Sequence, residues 1–244
     1  MNEPLQQRID TVSTLLRRIA DDFAPATFAS SLGAEDMVLT DLIYTTALPI
    51  AVFTLDTGRL PEETHVLIDA IGRHYGKRPR VYFPQAAEVE AYVSRNGINA
   101  FFESVELRKA CCHVRKVEPL RRALMGRKAW ITGLRREQSV VRSEVEIEAF
   151  DAAHGLMKFN PLADWSNAQV WEYLRACHVP YNALHDRHYP SIGCAPCTRA
   201  IAAGEDIRAG RWWWEDAQNK ECGLHPLTGK GSAVEQPRGK AVLA

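Results

Sequence analysis

Residues 26–47, "ATFASSLGAEDMVLTDLIYTTA", decide how the rest of the chain is read. "ATFASSLG" has the character of a short buried strand that ends in a turn of small residues, and "AEDMVLTDLIYTTA" continues as a helix. The same alternation then recurs. Pro49 opens "PIAVFTLDTG", an apolar run that suits a strand buried on both faces. "PEETHVLIDAIGRHYG" predicts a helix with Pro in its first turn and Gly past its end, with Val66, Leu67, Ala70, Ile71 and His74 on one face. "RVYF" reads as another strand and "AEVEAYV" as a short helix. Upstream, Leu5, Ile9, Val12, Leu15, Leu16 and Ile19 form the stripe of an amphipathic helix spanning Leu5 to Phe23. Downstream, "KAWITGLRREQS" predicts a strand running into a polar loop, and "SNAQVWEYLRACHV" a helix capped by Ser166. Strand and helix alternate with short connections, so the expected class is α/β, with a mostly parallel twisted sheet flanked by helices. No internal repeat or composition break marks a second folding unit.

Of the 244 residues, 46% are hydrophobic and 25% charged, the balance of an ordinary globular protein. Thirty basic and thirty acidic residues cancel, so no overall field favours nucleic acid, although a local anion pocket is compatible with that balance. "MNEPLQQRID" contains no apolar core of a signal peptide, and no run approaches the roughly 20 apolar residues that span a bilayer. A cytoplasmic location without membrane attachment is the expectation.

The chemistry-bearing residues fall into three groups. "SSLGAEDMVL" puts small residues at a strand-to-helix junction, where backbone N–H groups and the helix N-terminus favour an anion. It matches neither the Walker nor the dinucleotide glycine pattern, and a tight turn capped by Ser30 or Ser31 explains it equally well. The cysteines carry more information. Six of them, without a secretory leader, point away from a disulfide scaffold and toward metal ligation or thiol chemistry. The vicinal pair Cys111–Cys112 and the C-x-x-C of Cys194 and Cys197 supply four thiolates, enough for a Cys₄ zinc site or an iron–sulfur cluster. The competing readings are a redox dithiol and core cysteines at the start of a helix, the latter also being the reading of Cys177. Spacing alone does not separate iron from zinc, though a vicinal pair is unusual in a zinc finger. Cys222, in "KECGLH", instead lies in a stretch without apolar periodicity. The third group is basic: Arg115, Lys116, Arg135, Arg136, Arg208 and Arg211, with His225. Each alone reads as a solvated charge; converging on one cleft, they would hold a phosphate or sulfate. The Trp triplet of "GRWWWEDA" suits packing or an oligomer contact, and "TGKGSAVEQPRGK" has the composition of a disordered tail.

Taken together, "CCHVRKVEPLRRAL", "TGLRREQS", "KFNPL", "GCAPCTRA", "GRWWWEDA" and "KECGLH" closely resemble the assimilatory adenylyl-sulfate (APS) reductases, the iron–sulfur branch of the APS/3′-phospho-APS reductase family. The resemblance runs from about Ser30 to His225. "SSLGAEDMVL" resembles that family's modified pyrophosphate loop and "LDTG" its second nucleotide-side motif. The resemblance implies an adenine-nucleotide α-hydrolase-like fold, with residues 1–215 as the α/β domain and 216–244 as a mobile segment. It implies a [4Fe–4S] cluster on Cys111, Cys112, Cys194 and Cys197, and Cys222 as nucleophile. It further implies reduction of APS to sulfite and AMP through an S-sulfo-cysteine, in sulfate assimilation and cysteine biosynthesis, with thioredoxin or a glutaredoxin-like donor. A homo-oligomer is expected.

The substrate contacts expected from this match are Ser30, Ser31, Gly33, Ala34, Glu35 and Asp36 in the first loop, and Leu55, Asp56, Thr57 and Gly58 in the second. Lys116, Gly133, Arg135, Arg136, Arg208, Arg211 and His225 complete the set. Glu35 and Asp56 read better as groups that polarise turns or touch the nucleotide than as a carboxylate pair. Family members with the four cysteines favour APS, and some accept the 3′-phosphorylated form too. Two rivals remain: a cluster-bearing ATP pyrophosphatase or tRNA thiolase of the same fold, from whose "SGGxDS"-like loop "SSLGAED" departs, and a non-enzymatic zinc module.

Overall fold

The strands observed are β1 (Ala26–Ala29), β2 (Ala51–Leu55), β3 (Arg80–Tyr82), β4 (Ala129–Ile131), β5 (Glu148–Asp151) and β6 (Leu156–Phe159). These belong to a computed structural model that describes residues 3–139, 142–216 and 224. They form one sheet of order β3-β2-β1-β4-β6-β5. Every neighbouring pair is parallel except β5 with β6, which run antiparallel at the edge. The chain builds outward from β1 through β2 to β3, then returns to lay β4 against the other side of β1. Strand direction of growth therefore reverses between β1 and β4. In open α/β sheets such a switch point leaves a crevice at the carboxyl ends of the strands.

The helices are α1 (Glu3–Asp22), α2 (Ala34–Thr45), α3 (Glu62–Tyr75), α4 (Ala86–Asn96), α5 (Val105–Cys112), α6 (Glu118–Leu124) and α7 (Asn167–Ala176). Alternation along each strand divides the core. Val52, Ala129 and Ile131 pack with α1, α2, α3 and α7 on one face, while Phe53 and Trp130 pack with Leu120, Ala123 and Leu124 of α6 on the other. Ser166 caps α7 as expected: its hydroxyl accepts the Gln169 N–H, and the Gln169 side chain accepts the Ser166 N–H.

Three features differ from the sequence reading. In α3 the buried face is Thr64, Leu67 and Ile71, with Val66 and His74 exposed. A turn of about 100° per residue sets Val66 apart from the Leu67–Ile71 line, so the apolar count alone misplaced the stripe. The β5–β6 hairpin was not foreseen, because Phe150 faces solvent and leaves β5 without an alternating pattern. Cys111 and Cys112 end α5 rather than begin a helix. The chain continues from them through a π turn, His113–Val117, into α6. The extra residue of a π turn is rare and concentrates at functional sites; here it accompanies the burial of Arg115.

Candidate active site

The loop between β1 and α2 turns on Leu32, a non-glycine residue at φ 63°. Its N–H donates to the Ser30 hydroxyl at 3.3 Å. Asp36, buried at the start of α2, accepts from both the N–H and the hydroxyl of Ser31, at 2.5 and 2.6 Å. Burial pushes its carboxyl up to about 7, against the pull of the two Ser31 hydrogen bonds. Gly133 lies directly against that carboxylate, and a Cβ there would collide with it. Glu35 pairs with Arg135 at 2.7 Å, and Arg135 also donates to Glu137 at 2.9 Å and to the Trp165 carbonyl at 3.0 Å. Burial, the largest single influence, would raise the Glu35 carboxyl; the Arg135 charge and the hydrogen bonds from the backbone, Arg135 and Gln138 together hold it below its ordinary value.

The second loop, after β2, is built the same way. Asp56 accepts from the Gly58 N–H at 2.8 Å and meets His65 Nε2 at 2.9 Å. Thr57 Oγ1 accepts from the Arg59 N–H at 3.2 Å and lies 3.2 Å from Cys194 Sγ, while Arg115 donates to the Thr57 carbonyl at 2.7 Å. Glu35 and Asp56 thus each serve a different turn and do not form a carboxylate pair.

Both loops open on a cleft of about 220 Å³ at the switch point. Of the residues expected at a substrate site, Ser30, Ser31, Gly33, Glu35, Asp36, Leu55, Thr57, Lys116, Gly133, Arg208 and Arg211 line it. Ala34 is packed into the core, and Asp56 and Gly58 shape their turn from behind. Arg135 is buried behind Glu35, and Arg136 turns outward to Asp164. The structure adds Phe53, Leu120 and Trp130 as an apolar wall, and Gln138, Arg142, His185 and residues 191–193 as further lining. The apolar wall carried no sequence signal beyond hydrophobicity. Gln138 stood inside "TGLRREQS" without being singled out, and His185 lay in a stretch that no motif covered. Cys222 and His225 lie outside the described residues, as do residues 217–223 and 225–244 of the segment expected to be mobile. Leu224 is described. It packs on the cluster of Phe53, Leu120 and Trp130 and lines the cleft.

Cys111, Cys112, Cys194 and Cys197, all buried, surround a second and smaller cavity with Arg59, Arg108, Arg115, Lys116 and Trp212. Burial and the neighbouring Cys194 push the Cys197 thiol up to about 12, with Lys116 opposing; burial likewise raises Cys111, with Arg115 opposing. Such thiols ionise only when a cation shares their cavity. The indole N–H of Trp212 is buried in this wall without a hydrogen-bond partner. Among the described residues no three His, Cys, Asp or Glu side chains close on one metal ion. Four thiols, a spare donor and surrounding cations suit a multi-iron cluster, in which each thiolate serves its own iron, better than a single zinc.

The cavity is braced by Arg108, fully buried, whose guanidinium forks onto Glu215 at 2.9 and 2.7 Å. Arg108 and Arg211 both lie over the Trp212 ring, at 4.7 and 4.6 Å from its centroid. Trp212 itself holds φ 41°, a conformation that packing on both sides must sustain. Gly193 leaves room for the Arg211 guanidinium, which a Cβ would strike. Lys116 and Trp212 line both cavities and so join them.

Residues 25–200 match the family model of the phosphoadenosine phosphosulfate reductase domain. Adenosine 5′-phosphosulfate reductase of Allochromatium vinosum is 59% identical over 211 residues, 86% of this chain and 82% of that protein. The Burkholderia cepacia protein of that name is 55% identical over 224 residues, 92% of this chain and 90% of its own. Among solved structures, the phosphoadenylyl-sulfate reductase of Candida auris superposes with a TM-score of 0.67 at 25% identity, over 82% of this chain and 98% of that one. Candida glabrata FMN adenylyltransferase shares the fold alone, with a TM-score of 0.56 at 16% identity over 93% of this chain and 77% of that one.

Proposed function

The chain belongs to the phosphoadenosine phosphosulfate reductase family, and on that premise we propose that it is an oxidoreductase of sulfate assimilation that reduces adenylyl sulfate to sulfite and AMP. The observation that carries the reading is the junction of the two cavities: Lys116 and Trp212 belong to both, so an anion in the cleft lies beside the cysteines.

Adenylyl sulfate enters with its nucleoside along the carboxyl ends of β1, β2 and β4 and its phosphosulfate toward Lys116, Arg208 and Arg211. The Cys222 thiolate attacks the sulfur of the sulfuryl group, the sulfur–oxygen bond to phosphate breaks, and AMP leaves with that electron pair. Cys222 then carries –SO₃⁻. A thiolate of thioredoxin, or of a glutaredoxin-like donor, attacks Cys222 Sγ and expels sulfite. The donor's second thiol resolves the mixed disulfide, so both electrons come from the donor. The three cations stabilise charge on the departing phosphate. Leu224, two positions after Cys222 in the sequence, is seated on the cleft wall beside Phe53, Leu120 and Trp130.

Cys111, Cys112, Cys194 and Cys197 would hold a [4Fe–4S] cluster, which supplies a fixed, polarisable charge beside the phosphosulfate. The decisive experiment measures sulfite release from adenylyl sulfate and from its 3′-phosphorylated form, with thioredoxin, in wild type and Cys222→Ser. Faster turnover of adenylyl sulfate, lost in the variant, is expected; equal activity in the variant would remove Cys222 from the mechanism.

A further inference from the structure

His185 is the polar group of the cleft that the reaction leaves without a task. It sits in the 3₁₀ turn Ala183–Arg187, and the structure holds that turn firmly. Asn182 accepts the Leu184 N–H at 3.0 Å and donates to Thr64 Oγ1 at 3.0 Å, tying the turn to α3. Leu184 is buried beneath it. The His185 ring packs edge-on against Trp171, with centroids 5.3 Å apart, so its orientation is set by apolar contact. Both ring nitrogens are buried without a hydrogen bond of good geometry, the Tyr189 backbone being the one group close enough to favour a proton on the ring, and the residue lines the cleft. A neutral imidazole has one donor and one acceptor; the Tyr189 backbone can serve the donor, and leaving the acceptor unpaired inside a protein is costly. A ligand in the cleft would relieve that cost.

The charge state narrows what the ligand presents there. Burial lowers the affinity of His185 for a proton, against the Glu35 charge, a hydrogen bond to the Tyr189 backbone and the Asp186 charge, and the net shift is downward. Lys116, Arg208 and Arg211 line the cleft, Lys116 and Arg211 also acting on Cys197, and on the proposed reading they take the phosphosulfate. An uncharged imidazole complements an uncharged polar edge.

We propose that His185 is a substrate-contacting residue that hydrogen-bonds the adenine–ribose part of the nucleotide and so helps select an adenine nucleoside. The inference rests on the nucleotide reading of the cleft. It is tested by calorimetric binding of adenosine and of AMP to the holoenzyme, wild type against His185→Phe and His185→Gln. Phenylalanine keeps the ring contact with Trp171 and removes both nitrogens; glutamine restores a donor and an acceptor. The expected result is that His185→Phe binds adenosine and AMP about 10-fold more weakly, by the same factor for each, with an unchanged unfolding midpoint. His185→Gln should recover most of the loss. Should the Phe variant not fold, His185→Met removes the same nitrogens with a flexible apolar side chain. Wild-type affinity for adenosine in the nitrogen-free variant would overturn the inference, as would a loss confined to AMP, which would put the contact at the phosphate. Wild-type protein that bound neither ligand would overturn the nucleotide reading itself.

Discussion

The two sides of the cleft handle charge in opposite ways. On the side built from the loop after β1, Glu35 and Arg135 neutralise each other, and burial keeps Asp36 protonated up to about pH 7. On the other side Lys116, Arg208 and Arg211 line the wall, Lys116 being shared with the cysteine cavity, while Arg142 lines the cleft beside Gln138. Glu35 and Asp36 are the only acids among the described residues lining the cleft, and neither stands on that second side. The difference gives the site a direction. A molecule with a neutral and a doubly anionic end has one favourable orientation, and it delivers the anionic end to the cysteines. An arginine in a recognisable motif is therefore no guide to which job it does, since Arg135 and Arg211 are both buried and only one lines the cleft.

The sharpest way to break this asymmetry is at the proposed nucleophile. Cys222→Ser should lower sulfite release by at least about 10³-fold while AMP affinity, measured by calorimetry, stays at the wild-type level. Loss of AMP binding would mean that the residue shapes the cleft rather than attacks. Next in size is the brace behind the cysteine cavity. Arg108→Ala leaves the buried Glu215 carboxylate without its partner and should cost about 3–5 kcal/mol in urea denaturation. A cost near that of a surface pair would show that the fork is not a support.

The cations of the anion side come third. Arg211→Ala should reduce kcat/KM for adenylyl sulfate about 10- to 100-fold, the worth of a charge-assisted hydrogen bond, yet scarcely change the affinity for adenosine. Arg136→Ala, whose partner Asp164 lies on the surface, should change neither by more than about 2-fold. Equal effects from the two arginines would erase the distinction between the sides. The last prediction concerns pH. Asp36 holds its proton to about pH 7 when folded but only to about pH 4 when unfolded. Between these values the folded state binds more protons, so stability should fall as pH rises from about 4 to about 7 and level off above. The slope is no steeper than about 1.4 kcal/mol per pH unit. Asp36→Asn should remove that part of the slope; an unchanged profile would mean that Asp36 is already ionised.

Much of the fold was legible because its signals are local. The stripe Leu5–Ile19 is read off one helix, and Ser166 with Gln169 announces its own cap. The strands β1, β2 and β4 show as short apolar runs because both faces of each are covered. The β5–β6 hairpin was hidden because it is an edge, where Phe150 is exposed and Lys158 lies over Trp130. Within the site, motif residues reached the cleft where their backbone lines it, as Ser30, Gly33 and Thr57 do. Long side chains were harder: Arg135 and Arg136 are adjacent in the sequence, yet one is buried on Glu35 and the other turns to the surface.

The sequence by itself determined the α/β class, most of the element order and the two cysteine pairs. Each of these depends on residue type and spacing along a short length of chain. Only the tertiary structure decided that the two cysteine pairs share one cavity, that Lys116 and Trp212 join it to the cleft, and that the buried His185 lines that cleft. The physical reason is that burial and pairing are properties of neighbours. The groups that set them, from Cys111 to Cys194 and from Arg108 to Glu215, are far apart in the chain and meet only when the sheet is complete.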